Sequence, residues 1–469
     1  MRELKPLSFA DWEMMQQGVR LEPMLQAIAD FLVDHEELIE AVSCDLRAGL
    51  KNPDTGRCGL APEQVLRSLV LMRIKDWDYR ELRERIADGY SLRQFTAFHC
   101  RPVPRHDAFH RAFVKLTPDT MKAVNDLVVQ AAVELELEDG AKLRVDSTVV
   151  QTDIHHPTDN TLLWDLVRVV TRLVIRLGKA TKPSRIRGFS NRTRAAHRRM
   201  YEIQRMTSRQ RFTQLGKKYR ALIAIAEEVV VSAREALSQT KKAHGKTTPG
   251  DIVITQLREE IDYYCSLGDR VIDQTRRRVD EGATVPSAEK LYSVFEPHTD
   301  LIKRGKVRTP IEFGHKVFLA ESAQGLITQY LVLNGNPSDD IQVSPSLRRH
   351  RQAFGRAPAL YSSDRGFFSE ENLTACARGD VKVVCIPQRG GAKTSERAAF
   401  EKSEAFKQGQ RFRAGIEGRI SVLMRGRGMK RCRAKGPQRF EVFVAAAVLA
   451  NNLMRIATLL ENAGRRRAA

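Results

Sequence analysis

Cysteine is scarce and unpatterned in this 469-residue chain: Cys44, Cys58, Cys100, Cys265, Cys376, Cys385 and Cys432 are odd in number, scattered and never spaced as CxxC. That pattern indicates neither a disulfide framework nor a zinc site, and it suits core thiols in a reducing compartment. The N-terminus, Met1-Arg-Glu-Leu-Lys-Pro, lacks the apolar run of a secretory signal. No uncharged apolar stretch of about 18 residues occurs either, so the expectation is a soluble, cytoplasmic protein with no membrane partner. Acid is also in short supply, with 57 Asp and Glu against 78 Lys and Arg and a formal net charge of +21. With a pI near 9.9, this is the footprint of a polyanion binder, nucleic acid being the leading candidate. A hydrophobic share of 42 % is ample for globular cores, and the length suggests about three domains.

What is present concentrates in three stretches: Leu143-Arg-Val-Asp146-Ser-Thr, Tyr361-Ser-Ser-Asp364-Arg-Gly and Arg413-Ala-Gly-Ile-Glu417-Gly-Arg. Two are apolar or small runs that end on an aspartate. The third is helical, with a glutamate held beside arginines. Together they supply three hard oxygen ligands, the donors Mg²⁺ takes alongside water and substrate phosphates, and a metal pair stabilises both oxygens of an in-line displacement. A lone aspartate at a strand end is ordinarily a turn residue; two on one sheet, with a glutamate on the following helix, are a candidate site. On a helix of about 100° per residue, Ile416, Ile420 and Leu423 share the buried stripe and Arg413 lies about 40° from Glu417. A plain i,i+4 ion pair, worth a few tenths of a kcal/mol, accounts for that spacing. The surrounding cations, Arg419 and Arg425 among them, suit phosphates better than one glutamate. Asp153 and Asp159 compete less well for the first ligand position, because they lie in a turn-like region beside His155-His156-Pro157. Without a cysteine or a spaced histidine nearby, that histidine pair reads as loop rather than zinc site.

Along the chain, the first 135 or so residues read as helices. Pro62 suits a first turn, Gly89 a helix end, and the short helices with tight turns fit either a helix-turn-helix-like DNA reader or a packing domain without groove contacts. Val- and Thr-rich Leu143–Val150 predicts a strand after the Asp139-Gly140 turn. Residues 161–280 turn helical again, and Thr181–Arg220 holds 13 Lys or Arg, including Arg192, Arg198 and Arg199, against the single acid Glu202. A run without i,i+4 acidic partners points to phosphate-backbone contact. Strands are expected at His315–Ala320 and Leu326–Leu333, joined as a hairpin, then up to Asp364, and at Val381–Ile386. Helices are expected at Pro345–Phe354, at Ser369–Ala377 with Ser369 as N-cap, around Glu417, and at Val442–Leu460. The order describes a mixed α/β sheet interrupted by a helical insertion.

Asp146 in its β-run, Asp364 in Ser-Ser-Asp-Arg-Gly-Phe and Arg413-xxx-Glu417 resemble the acidic triad and Arg-Glu signature of bacterial insertion-sequence DDE transposases, and the whole arrangement resembles the ISNCY group. Pro62–Phe95, with its Trp-Asp-Tyr-Arg-Glu-Leu core, is similar to the helical N-terminal domain of those proteins. The resemblance covers nearly the whole chain. It implies a helical DNA-binding domain over 1–135, a ribonuclease-H-like catalytic core over 136–160 and 291–430, a basic helical insertion over 161–290 and a C-terminal helical segment over 431–469. It further implies two Mg²⁺ or Mn²⁺ ions held by Asp146, Asp364 and Glu417, with Arg413, Arg419, Arg425, Arg192, Arg198 and Arg199 toward DNA. The partners would be transposon ends and target DNA, handled by a homodimer. Two positions depart from the pattern: Gln410 and Met424 stand where related families often place a tyrosine and a lysine. A DNA-binding protein without catalysis and a ribonuclease-H-like nuclease without strand transfer are the alternatives.

Overall fold

In the computed structural model, which describes Phe9, Trp12 and residues 20–52, 55, 59–181, 186–241, 248–303 and 310–468, the chain divides into two units. One comprises Met1–Gln151 with His315–Ala469, the other Thr152–Gly314. Among the described residues the structure is mixed α/β, with a seven-stranded sheet.

In the first unit, the helices before the sheet that lie wholly among the described residues are Pro23–Asp34, Glu36–Arg47, Pro62–Lys75, Tyr79–Asp88, Tyr90–Phe95, His106–Phe113 and Pro118–Glu134. Their ends are set locally. Pro62 sits in the first turn of its helix, where it loses no hydrogen bond, and the Gln64 side chain accepts from the Ala61 N–H at 3.1 Å. Asp78 caps the next helix, accepting from the Arg80 and Glu81 amides at 2.8 and 2.9 Å. These helices share their core with the end of the chain. Leu66, Val70 and Val128 are buried in one cluster with Ala446, Leu449 and Leu453 of the helix Pro437–Ala468. By length and composition alone Pro437–Arg465 is apolar enough to cross a membrane, yet 72 % of its apolar window is buried, which marks a core helix.

Strands β1 (Lys142–Thr152), β2 (Asp300–Lys303), β3 (Ile311–Ser322), β4 (Ile327–Leu333), β5 (Leu360–Ser362), β6 (Val383–Cys385) and β7 (Arg431–Cys432) form the sheet. Its order is β2-β3-β1-β5-β6, with β4 also on β3 and β7 on β1. β1 and β5 run parallel, Lys142 opposite Leu360 and Arg144 opposite Ser362, and β5 and β6 are parallel too. β3 and β4 form the expected hairpin, closed at Gly325 and irregular at Ala320/Glu321. Helices Val343–Phe354, Glu370–Arg378, Ser395–Lys402 and Glu404–Ser421 follow, and Ser369 caps the second of them as anticipated.

The second unit is built on helices Asp159–Ala180, Thr193–Gln204, Ser208–Gln239 and Thr248–Val279. Leu162, Leu166, Val169, Val170 and Leu173, the stripe read from the sequence, are all buried in its core. Here β2 pairs antiparallel with the first residues of β3, Asp300 opposite Gly314.

Candidate active site

β1 carries Asp146 at mid-strand, not at its tip. The strand runs on to Thr152 because the β-branched Thr148, Val149, Val150 and Thr152 favour extended backbone, and β7 adds a further pairing to β1. From the neighbouring strand, β5 ends at Ser362, and Asp364 turns the chain by capping a short 3₁₀ turn, its Oδ1 accepting from the Gly366 amide at 2.8 Å.

The helix Glu404–Ser421 is fastened across these strand ends. Ser362 Oγ donates to the Gly409 carbonyl at 2.8 Å, and Gln410 Nε2 donates to the Cys385 and Ser363 carbonyls at 2.7 and 3.3 Å. Gln410, one of the two departures from the family pattern, is therefore a clamp on β5 and β6. Deeper in, Glu321 on β3 is fully buried between two arginines, with Arg144 Nε at 2.7 Å and Arg419 Nε at 2.8 Å. Arg144 also donates to the Phe412 carbonyl at 2.7 Å and lies over the Phe412 ring. Gly415 makes that approach possible, since a Cβ there would overlap the Arg144 guanidinium.

Held in this way, Arg413 meets all three predicted acids. Its Nη2 lies 3.1 Å from Asp146 Oδ2 and 3.8 Å from Asp364 Oδ2, and its Nη1 donates to Glu417 Oε1 at 2.8 Å. The i,i+4 pair exists, but it is one arm of a guanidinium shared among carboxylates from three separate stretches. Asp146 is 15 % exposed and Glu417 66 %, so one oxygen set faces the interior and one faces water. Burial pushes the Asp146 carboxyl up to about 6; Arg413 opposes that, while Asp364 and Asp339 add to it by like-charge repulsion.

Asp339 is a carboxylate that sequence reasoning passed over. It pairs with Lys316 at 2.8 Å, and a Cβ on Gly366 would lie 3.6 Å from its Oδ2. Two successive acids, Asp339-Asp340, just after a strand in an acid-poor chain were the available signal. Among the described residues no three acidic, imidazole or thiol side chains are grouped as a ready metal cage. The donors suit a hard divalent cation, but the positive charge between them is that of Arg413.

The other predicted residues fall in different surroundings. Arg419 is inward-facing and committed to Glu321 and Asn451, so it is not placed as a surface contact. Arg425 is exposed on a π-helical turn, Val422–Gly426, where regular-helix angles no longer hold. In the second unit Arg198 is exposed, whereas Arg192 pairs with Glu228 at 3.1 Å and Arg199 with Glu202 at 2.9 Å. Lys218 joins Glu202 and Arg220 joins Asp280. The basic run thus has acidic partners after all, several of them donated by other helices; Lys182 and Arg185 lie outside the described residues. His155 is bonded to Asp165 at 2.6 Å, and Asp159 to Arg278 and Gln274.

Residues 14–115 match the family model of a transposase domain, DUF772. No curated protein and no solved structure matches the chain. The matched segment ends before β1, so the carboxylates lie outside it. A transposase domain implies a protein that handles DNA, and the match is consistent with the resemblance to insertion-sequence transposases.

Proposed function

We propose that this chain is a DDE transposase that cleaves DNA at the ends of an insertion sequence and joins the freed strand to target DNA. The observation that carries the reading is the convergence of Asp146, Asp364 and Glu417 on one guanidinium. The strand order β4-β3-β1-β5-β6, with β4 and β3 antiparallel and β1, β5 and β6 parallel, supports a ribonuclease-H-like core. The transposase domain at residues 14–115 supports DNA as the partner. Asp146 and Asp364, with Glu417, would hold two Mg²⁺ or Mn²⁺ ions, which bound there supply the charge that steadies the attacking and leaving oxygens. Glu417, mostly exposed, is held by Arg413. Arg413 keeps the carboxylates together in the protein as it stands, and once relieved of them its fork is matched to a phosphate. Arg425 and Arg198, both exposed, remain candidates for backbone contact. Action at two DNA ends suggests a homodimer, working in the cytoplasm.

Met424 packs beside a buried cluster that includes Leu423, Met429 and Phe440, which gives its apolar side chain a part in the fold. The test is cleavage of a plasmid carrying the DNA that flanks this reading frame, with Mg²⁺ or Mn²⁺. The wild type should nick at the ends, and Asp364→Ala should bind but not nick. Retained nicking by Asp364→Ala would remove the assignment.

A further inference from the structure

A second feature of the first unit lies outside the triad. A cavity of about 760 Å³ opens between the matched helices and the segment that follows the π-helical turn; its volume falls within the roughly 300–1,000 Å³ usual for small-ligand pockets. Its apolar lining includes Trp77, Tyr79, Met72, Met424 and Phe443. Trp77 and Tyr79 are half-buried, and the Tyr79 ring is steadied edge-on by His110 at 5.3 Å. Around these stand Lys430, Arg431, Arg433, Lys435 and Arg439, all exposed.

The lining also holds a cation that is not on the surface. Arg73 is 5 % exposed, its guanidinium 4.3 Å from the centre of the Phe443 ring. One of its Nη atoms donates to the Arg427 carbonyl, Nε has no hydrogen-bond partner, and among the described residues no carboxylate lies within ion-pair distance. A buried charge without a counter-charge is costly and is normally paired. The nearby acids do not cancel it. Asp78 Oδ1 accepts from the Arg80 and Glu81 amides and its charge also acts on Arg433, while Asp76 is the acid that acts on Arg73, so six cationic side chains line the cavity against two acids.

The walls are preformed. Gly428 has a φ of +60° and is pressed against the Asp76 carboxylate, where a Cβ would overlap it. Only glycine holds that backbone at that distance, and it sets the course of the cation-bearing segment behind it.

Aromatic faces with cations around them are the chemistry of an unstacked base carrying phosphate. We propose that this cavity binds a single nucleotide, its base against Trp77 and Tyr79 and its phosphate toward Arg73 and the outer arginines. One source is a nucleotide turned out of a DNA strand, which costs a few kcal/mol of unstacking that such a pocket can offset; the other is a free mononucleotide. The first source rests on the transposase reading, whereas the pocket itself does not.

The experiment uses the full chain in two arms. In the first, Trp12 and Trp164 are replaced by Phe so that Trp77 alone reports, and dAMP is titrated. A saturable quench is expected, at least tenfold weaker in Arg73→Gln and in Arg433→Gln, the latter on the exposed rim and so not at risk of misfolding. In the second, duplexes of the flanking DNA carry 5-iododeoxyuridine at successive positions, and photocrosslinks are mapped by mass spectrometry. A crosslink to Trp77 or Tyr79 from one position supports the turned-out nucleotide. A dAMP quench without such a crosslink supports the pocket with free nucleotide as its source, even if the wild type never nicks DNA. If the wild type nicks the ends while dAMP gives no quench and no crosslink reaches Trp77 or Tyr79, the pocket is overturned and the transposase reading stands.

Discussion

Asp146 and Arg413, 267 positions apart in the chain, meet at 3.1 Å. The contact joins the sheet to the helix Glu404–Ser421, and through Nη1 it reaches Glu417 as well. A guanidinium is suited to this because its planar fork keeps its charge and offers several donors at once.

Arg413→Gln should separate the carboxylates, since like charges lose their shared counter-charge. In EDTA the variant is expected to lose about 1.5–3 kcal/mol, the range for hydrogen bonds to charged groups, read as a lower thermal midpoint. Added Mn²⁺ should raise that midpoint more in the variant than in the wild type, because a divalent ion replaces the missing charge. Equal midpoints under both conditions would show that Arg413 does not hold the acids together.

The raised carboxyl of Asp146 predicts a trade between stability and chemistry. Its value of about 6 in the fold lies above the ordinary value near 3.9. The native state therefore binds an extra proton between these limits, and stability falls as pH rises from about 4 to about 6. Asp146→Asn removes the buried charge. In metal-free buffer at pH 7.5 it should be more stable than the wild type, by at most about 3 kcal/mol for a shift of about two units, with the gap closing near pH 4. Urea titrations at both pH values measure it; a variant less stable than the wild type at pH 7.5 contradicts the account.

His350 should act in the opposite sense. It is fully buried against Phe354, and burial lowers its pKa to about 4. Because the unfolded chain takes up the proton more readily, stability is intact above about 6.5 and drains away as pH falls toward 4, by up to roughly 3 kcal/mol. His350→Gln should flatten this acid limb. If the limb keeps its slope in the variant, another group is responsible.

Glu321 lies at the centre of a buried triad with Arg144 and Arg419. Removing one member of such a set usually costs about 3–5 kcal/mol because the others stay buried and uncompensated. Glu321→Gln should approach that loss. Arg419→Ala should likewise lower the unfolding midpoint yet leave the salt dependence of DNA binding unchanged. A flatter salt slope in the Arg419 variant would return that arginine to the DNA-facing set.

Local signals in the sequence determined a good deal of this protein. Asp78 and Ser369 start their helices by bonding amides two or three residues away, the stripe from Leu162 to Leu173 follows helical period, and Ser322–Gly325 closes a hairpin. All of these depend on neighbours within a few positions. The three acids stood out for a similar reason, since each carries its signature in its own short stretch.

Tertiary structure alone decided the rest. Nothing local distinguishes Arg419, turned inward to Glu321, from Arg425, exposed on the next turn, because burial depends on strands nearly a hundred residues earlier. The acids that answer the basic run come in part from Glu228 on a later helix and Asp280 just past the end of another, and Asp339 reaches Asp146 only after β4 has returned the chain to the sheet. The C-terminal helix likewise lies in the core of the first helices of the chain. Charge and burial act through space, and the distances that set them exist only once the chain has folded.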